Sequence, residues 1–490
     1  MKRFFLLFQT FFVLVFLGLS IVSAQSQPVF RIGVLDEERG PLSDGARLAV
    51  SEINDAGGVR GADGTFFRLE LVIAPTNNGA ELGSAAATVG QASVIAVIGP
   101  VSNAEVANNL PILQGLQVPV LTTAAGDTLL TGDSTGRIIR IRAAEVHQGR
   151  ALAQYLVREL QIQQIATVQL ELDIDSTASI VGFSTAASAL GVLPQPALQV
   201  QNDQSIPQTV NQLISANPPY VVAYGPATRA AALYNGLRQS GWTGTFAYNH
   251  VEDAAFRDNV PFDQLRGIIA TTTWPFTAAD AASDEFRDNF IRAYGAVPGA
   301  LEAASYDAVK LLEAAIGQPG ELLNNLASLD NIEGVQGVLR PAQLTRGETG
   351  TNVAVVQLGD FGAPQVMSRY EGGQKLTDVT QPIPTPTAAP TATPAGVVIT
   401  ITQARQNVRS GPSTNYAVLG QLSEGDQAQV IGATTDLAWV VIDYRGQQGW
   451  LATYLLEVFG DLNTVPIITP PPTPTPPPTS TALPVADVVI

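Results

Sequence analysis

The sequence predicts a two-lobed α/β fold of two parallel doubly wound sheets, followed by a small all-β barrel. Two observations predict it. Strand and helix patterns alternate from residue 28 to about 375 and restart once, near residue 144. A Pro/Thr-rich stretch then separates this segment from a run of short strands at 397–459. Alternating β and α units build parallel sheets covered by helices on both faces.

The first set opens with the strand Phe30–Leu35 and the helix Gly45–Asn54, whose Ala46, Ala49, Val50 and Ile53 form one apolar face. Asp55-Ala-Gly57-Gly58 ends that helix, because glycine accepts the left-handed conformation of a helix C-terminus. Strand 67–73 and helix 83–91 follow. Val94-Ile-Ala-Val-Ile98 is continuously apolar, as a strand buried on both faces requires. The loop Gly99-Pro-Val-Ser-Asn103 feeds a helix beginning at Ala104, and 118–122 is another strand. Loops at the carboxyl ends of such strands are where open α/β sheets receive ligands. After a polar bridge, Arg140-Ile-Arg-Ala-Ala-Glu145, the second set reads helix 148–160, strand 165–172, helix 179–190, strand 220–224, helix 227–239 and strand 245–248.

Composition narrows the function. The chain carries a formal charge of −17, and its lysines are confined to Lys2, Lys310 and Lys375. No basic footprint exists for nucleic acid, and an anionic membrane surface is disfavoured for the same reason. Cysteine is absent, which removes disulfides, thiolate metal sites, a cysteine nucleophile and a lipid-acceptor cysteine. Residues 1–24 read as a signal peptide, with a charged start, an apolar stretch and Val22-Ser23-Ala24 at the cleavage point. The apolar stretch is also marginally long enough for an uncleaved anchor. Either way the expected location is extracytoplasmic: periplasmic, cell-wall-associated or secreted. Linker 381–396 and tail 464–490 are Pro/Thr-rich and cannot bury a core. The linker favours extended polyproline II, a semi-rigid spacer of roughly 40 Å.

Residues 28–375 resemble the type I periplasmic binding proteins, in the branched-chain amino-acid (Leu/Ile/Val receptor) branch. The resemblance is carried by Ile32-Gly-Val34, Gly45-Ala46 with the helix into Asn54, and Ala56-Gly-Gly-Val-Arg-Gly61. Val97-Ile-Gly-Pro100, Val118-Pro-Val120, Gly241-Trp242 and Ser305-Tyr-Asp-Ala-Val309 complete it. It implies two lobes joined by three crossovers, lobe 1 at about 28–143 and 272–335 and lobe 2 at about 144–271 and 336–370. A small polar solute, an amino acid or amide, would bind between them and be handed to the membrane permease of an ABC transporter. Such a protein needs no catalytic residue, cofactor or metal.

Site candidates follow the resemblance. Ser102 and Asn103 fall in the first binding loop, where Ser102-Asn-Ala-Glu105 is equally a capping box. Thr123 and Ala125 fall in the second, with Gly126 near a usual hydroxyl residue. In lobe 2 the resemblance points to Tyr224, and to His250 and Glu252 where an acid commonly receives the ligand ammonium. His250 reads equally as a structural histidine, and Trp274 and Tyr306 as core or hinge packing. The stretch 173–179 lacks the family's aromatic lid.

Residues 397–459 resemble bacterial SH3 domains through Asn407-Val-Arg-Ser-Gly-Pro-Ser-Thr-Asn-Tyr416, Trp439-Val-Val441 and Gly449-Trp-Leu451. That resemblance implies association with the cell wall through peptidoglycan. Tyr416, Trp439 and Trp450 are candidates for an aromatic surface, with barrel packing the alternative. Enzyme readings fare poorly. Gly182-Phe-Ser-Thr-Ala186 fails the nucleophile-elbow pattern, two histidines make no zinc cluster, and the glycines of 56–61 follow a helix rather than a strand. The expected function is an exported solute-binding protein of an ABC-type system. The alternatives are a wall-associated sensor or scaffold, or a degenerate wall hydrolase.

Overall fold

The computed structural model describes residues 27–126, 128–359, 362–376, 397–403, 405–414, 416–444 and 447–471. The expected signal peptide, the linker 381–396 and the tail beyond 471 lie outside the described residues.

The first sheet takes β1 (Val29–Leu35), β2 (Val59–Arg60), β3 (Phe66–Ala74), β4 (Ala96–Ile98), β5 (Val120–Thr122) and β6 (Ile138–Arg140) in the order β2-β3-β1-β4-β5-β6. All pairings are parallel except the short β2 against β3. One face packs on helices Pro41–Asp55 and Ala300–Ile316 through Ile32, Val34, Ile98 and Leu311. The other packs on Leu82–Gln91 and Asn103–Gly115 through Val89, Val97 and Val106. Burial on both faces explains the unbroken apolar runs of these strands.

The second sheet comprises β7 (Ile165–Gln169), β8 (Leu198–Gln199), β9 (Tyr220–Tyr224), β10 (Thr245–Tyr248) and β11 (Ile269–Thr272). After the separate hairpin β12 (Ile332–Gly334) and β13 (Gly337–Leu339), strands β14 (Val353–Leu358), β15 (Pro364–Glu371) and β16 (Gln374–Lys375) extend its edge. The order is β16-β15-β14-β11-β10-β9-β7-β8. The added strands run antiparallel, so this sheet is mixed rather than wholly parallel. The chain passes between sheets at 140–145, beyond β11, and near 350. Residues 337–349 stay with the first sheet, where Arg140 N–H donates to Gly347 O at 2.7 Å and Thr349 Oγ1 donates to Arg140 O at 2.8 Å. The last crossing therefore falls well after the expected 336.

Helices Glu145–Ala153 and Ile174–Ala189 cross at two glycines. A Cβ on Gly149 would lie 2.0 Å from Ser179 O, and one on Gly182 would lie 2.1 Å from Val146 O. Only glycine permits this backbone approach. The helix expected at 179–190 starts at Ile174, because Asp173 caps it by accepting from Ser176 N–H at 2.7 Å. The polar run 173–179 is a helix start, not a loop.

The last unit takes β17 (Val398–Ile401), β18 (Arg405–Arg409), β19 (Val418–Ser423), β20 (Gln427–Ala433), β21 (Trp439–Tyr444), β22 (Gln447–Ala452) and β23 (Leu456–Phe459), in the order β19-β18-β22-β21-β20-β17-β23. Ile399, Val408, Val440, Ile442 and Leu451 form its core. Trp450 is fully buried and Tyr416 nearly so, so both are packing residues rather than an open aromatic surface. Half-buried Trp439 and the more exposed Tyr454 line a cavity of about 730 Å³ together with Asn235, Arg257 and Phe262 of the second lobe. The Phe276 and Tyr454 rings meet edge-on at 6.5 Å.

Candidate functional site

Between the lobes, the loop following β5 meets the segment following β7, where Gly126 approaches Ile174, and the end of β10 reaches Glu145 through Asn249. On the lobe 1 side, hydrogen bonds within the protein hold most of the polar atoms. Ser102 and Glu105 form the full capping box: Glu105 N–H donates to Ser102 Oγ at 3.2 Å, and Ser102 N–H donates to Glu105 Oε2 at 2.9 Å. Gly126 N–H donates to Asn103 Oδ1 at 2.8 Å, and Thr123 Oγ1 donates to Val101 O at 2.8 Å. The carbonyls of Thr123, Ala125 and Gly126 accept from Arg142 Nε at 2.5 Å, Glu145 N–H at 3.0 Å and Arg140 at 3.0 Å. Ser102, Asn103, Thr123 and Ala125 thus come together at one mouth but are largely engaged with their own loops.

Glu145 organises the opposite side. Its side chain is fully buried at the start of its helix. Arg142 donates to Oε1 at 3.1 Å, while Ser179 Oγ and Asn249 Nδ2 donate to Oε2 at 3.2 Å each. Arg142 also holds the Thr123 carbonyl, so one arginine and one carboxylate couple the lobe 1 mouth to two elements of lobe 2. In the sequence Glu145 stands only as the end of a polar bridge. A signal is nevertheless present there, since three charges in six residues at a lobe crossing ask for partners.

Around Glu145 lie buried polar atoms with no hydrogen-bond partner among the described residues: Tyr224 Oη, Asn249 Oδ1 and Asp175 Oδ1. Such orphans cost on the order of 1–3 kcal/mol each. Burial raises the Tyr224 hydroxyl pKa, and the Glu145 charge adds to the rise. Burial likewise pushes Asp175 up to about 7, reinforced by Glu145 and opposed by Arg142. His250 packs its ring edge on Tyr248 at 5.8 Å, and burial lowers its pKa, which favours neutral imidazole. Glu252 has Arg257 and Glu302 as charged neighbours rather than Glu145, and burial raises it to about 7. It sits apart from the expected group. Trp274 and Tyr306 are packing residues: Trp274 Nε1 donates to Ser283 Oγ at 3.0 Å, and Tyr306 lies edge-on to Phe286 at 4.9 Å.

Lobe 2 also reaches across the cleft. A Cβ on Gly126 would lie 2.5 Å from Ile174 Cγ2. The space beside Gly126 is therefore occupied by a methyl of the helix Ile174–Ala189. Among the described residues no cluster of three or more His, Cys, Asp or Glu is arranged to hold a metal. No helix among them is long and apolar enough to cross a membrane.

The fold matches solved structures closely in extent. The branched-chain amino acid transporter substrate binding protein LivJ of Streptococcus pneumoniae, in complex with isoleucine, is 21% identical with a TM-score of 0.59, over 71% of this chain and 99% of that one. Leucine binding protein LivK of Thermotoga maritima is 21% identical with a TM-score of 0.58, over 70% and 99%. A solute binding protein of an ABC transporter from Rhodopseudomonas palustris, in complex with 3,4-dihydroxy benzoic acid, is 12% identical with a TM-score of 0.56, over 70% and 97%. At these identities the likeness shows the type I periplasmic binding fold.

Residues 404–457 match the bacterial SH3 domain. YrvJ of Bacillus subtilis (strain 168), named for N-acetylmuramoyl-L-alanine amidase, is 38% identical over 55 residues, 11% of this chain and 10% of that protein. The chain thus spans about a tenth of that relative, in the SH3 region alone. Residues 30–362, more than half of the chain, match the Periplasmic binding protein family, and the protein belongs to that family.

Proposed function

We propose that this protein is an exported solute-binding protein of an ABC-type transport system, taking a small amine-bearing, amino-acid-like solute between its lobes. The observation that carries the reading is the set of orphan atoms around Glu145. Tyr224 Oη, Asn249 Oδ1 and Asp175 Oδ1 are buried acceptors beside a buried carboxylate. A ligand ammonium, with three N–H donors, is the complement that matches this set. Most of the lobe 1 polar atoms are already engaged, so the selective contacts would come from lobe 2. Closure by population shift requires only that the solute bind the closed state more tightly than the open one. The bacterial SH3 unit fits association with the cell wall, and its barrel lies against both lobes, with Tyr454 lining one cavity beside Arg257 of the second lobe and Arg409 donating to Gly295 O of the first at 3.5 Å.

Ile174 over Gly126 favours a second reading, in which the lobes close on themselves and act as a wall-associated sensor or scaffold without transport. Thermal unfolding of the purified protein against amino acids, amides and small amines separates the two. A solute at 100 times its Kd adds about 2.7 kcal/mol to stability, worth a few degrees in Tm. The receptor reading expects that shift for at least one amine, with the complex visible by native mass spectrometry. A flat profile with every compound supports the scaffold instead.

A further inference from the structure

The bacterial SH3 match ends at residue 457, yet the described chain continues to 471 and returns to the barrel. Leu462 is buried in the barrel core and Val465 packs on it. The following residues, Pro466-Ile-Ile-Thr-Pro-Pro471, lie along the end of β20. Ala433 N–H donates to Pro466 O at 3.0 Å and Ile468 N–H donates to Ala433 O at 2.9 Å, a parallel bridge centred on Ile467. Ala433 pairs with Val440 of β21 on its other side. The pairing of β17 with β20 covers only Gln427–Gln429, so the end of β20 offers its edge to another strand.

Three features make this a shaped site rather than a chance contact. Gly432 leaves a notch: a Cβ there would lie 2.4 Å from Ile468 Cδ1 and 2.8 Å from Pro466 O. Three residues further on, Tyr416 Oη donates to Pro471 O at 2.6 Å. Tyr416 is itself 7% exposed, its ring seated over Gly411, so the hydroxyl is held in place. The bonds take two carbonyls from prolines and a single N–H from Ile468. Proline supplies a carbonyl but no N–H, so a proline-rich strand satisfies this pattern so long as the residue that donates is not proline.

We propose that the Gly432–Ala433 edge and the Tyr416 hydroxyl form a binding site for one extended Pro/Thr-rich peptide strand, and that the chain's own residues 466–471 occupy it in cis. The recognised pattern is a branched aliphatic residue in the Gly432 notch and a carbonyl three residues later on Tyr416. The barrel edge is then self-capped, and a competing strand must displace the tail first.

The test compares the full chain with one ending at Val465, using a labelled synthetic peptide of residues 464–476 as the probe. The truncated chain is expected to bind the peptide saturably and the full chain at least tenfold more weakly. Tyr416→Phe in the truncated chain should weaken binding about threefold to tenfold, the worth of one hydrogen bond. Gly432→Val should abolish it. The proposal is overturned if the truncated chain, with unchanged tryptophan fluorescence, fails to bind the peptide, or if the full chain binds it equally well. It is also overturned if only peptidoglycan fragments bind the truncated chain. Should truncation unfold the barrel, hydrogen exchange on the full chain decides: protection of the Ile468 amide that Gly432→Val removes supports the proposal, and a fast-exchanging Ile468 amide overturns it.

Discussion

Asn249 Nδ2 donates to Glu145 Oε2 at 3.2 Å, tying the end of β10 to the first crossing between the lobes. Through Arg142, the same carboxylate is linked to the Thr123 carbonyl on the other side of the cleft. This chain of contacts makes Glu145 the residue on which the geometry of the cleft depends.

Glu145→Ala should therefore destabilise the protein strongly. It leaves a part-buried guanidinium without its carboxylate and two donors without an acceptor, and removing one partner of a buried pair costs up to about 3–5 kcal/mol. Glu145→Gln keeps the size and one acceptor, and should lose about half as much. Denaturant unfolding followed by tryptophan fluorescence checks both. Equal midpoints for all three proteins would remove Glu145 from its central role.

Tyr224→Phe separates solute binding from stability, because its hydroxyl has no hydrogen-bond partner among the described residues. Deleting a buried orphan should leave stability unchanged or raise it by up to about 1–3 kcal/mol. Solute affinity should fall about threefold to tenfold. A loss of stability would show that the hydroxyl is a structural group.

Gly126→Ser tests whether the close approach of Ile174 governs closure. The new Cβ meets Ile174 Cγ2 and Asn103, so the variant should scatter as a more open particle in solution. Adding Ile174→Ala should restore the compact form. If Gly126→Ser alone leaves the radius of gyration unchanged, the Gly126 loop and the Ile174 helix start do not meet in the closed state.

Stability should rise as pH falls from 8 to 6.5. Asp175 and Glu252 have folded pKa values raised to about 7, chiefly by burial. A raised acid contributes stability fully present below its unfolded pKa and lost as pH climbs through its folded one. His250 works the other way, since its lowered pKa costs stability below about 6.5. The window between 6.5 and 8 therefore isolates the carboxyls. Asp175→Asn should remove about half of the slope there, Glu252 supplying the rest, and an unchanged profile would assign the dependence elsewhere.

Much of the fold was legible in the sequence because burial on both faces leaves an unbroken apolar signature. Val97 and Ile98, or Val221 and Val222, announce parallel strands without help from neighbours. What escaped was set by short or polar local sequence. Strand β6 is only Ile138–Arg140, too brief for any period to show. The start at Ile174 was hidden because Asp173 and Ser176 read as a loop until their cap is seen. The site was half legible. Ser102 and Asn103 stood out by position, but that Asn103 accepts from Gly126 depends on a loop more than twenty residues away. Glu145 and its partners Ser179 and Asn249 are far apart in the chain, and their meeting rests on the Gly149 and Gly182 crossing.

Whether the cleft is a solute site is decided by isothermal titration of small amines and amino acids into the purified protein and into its Tyr224→Phe variant. Saturable heat is expected with at least one amine-bearing solute, at a Kd near or below micromolar, weakened severalfold in the variant. Absence of heat from every such solute, with both proteins folded, would contradict the assignment of the Glu145 cluster as a binding site.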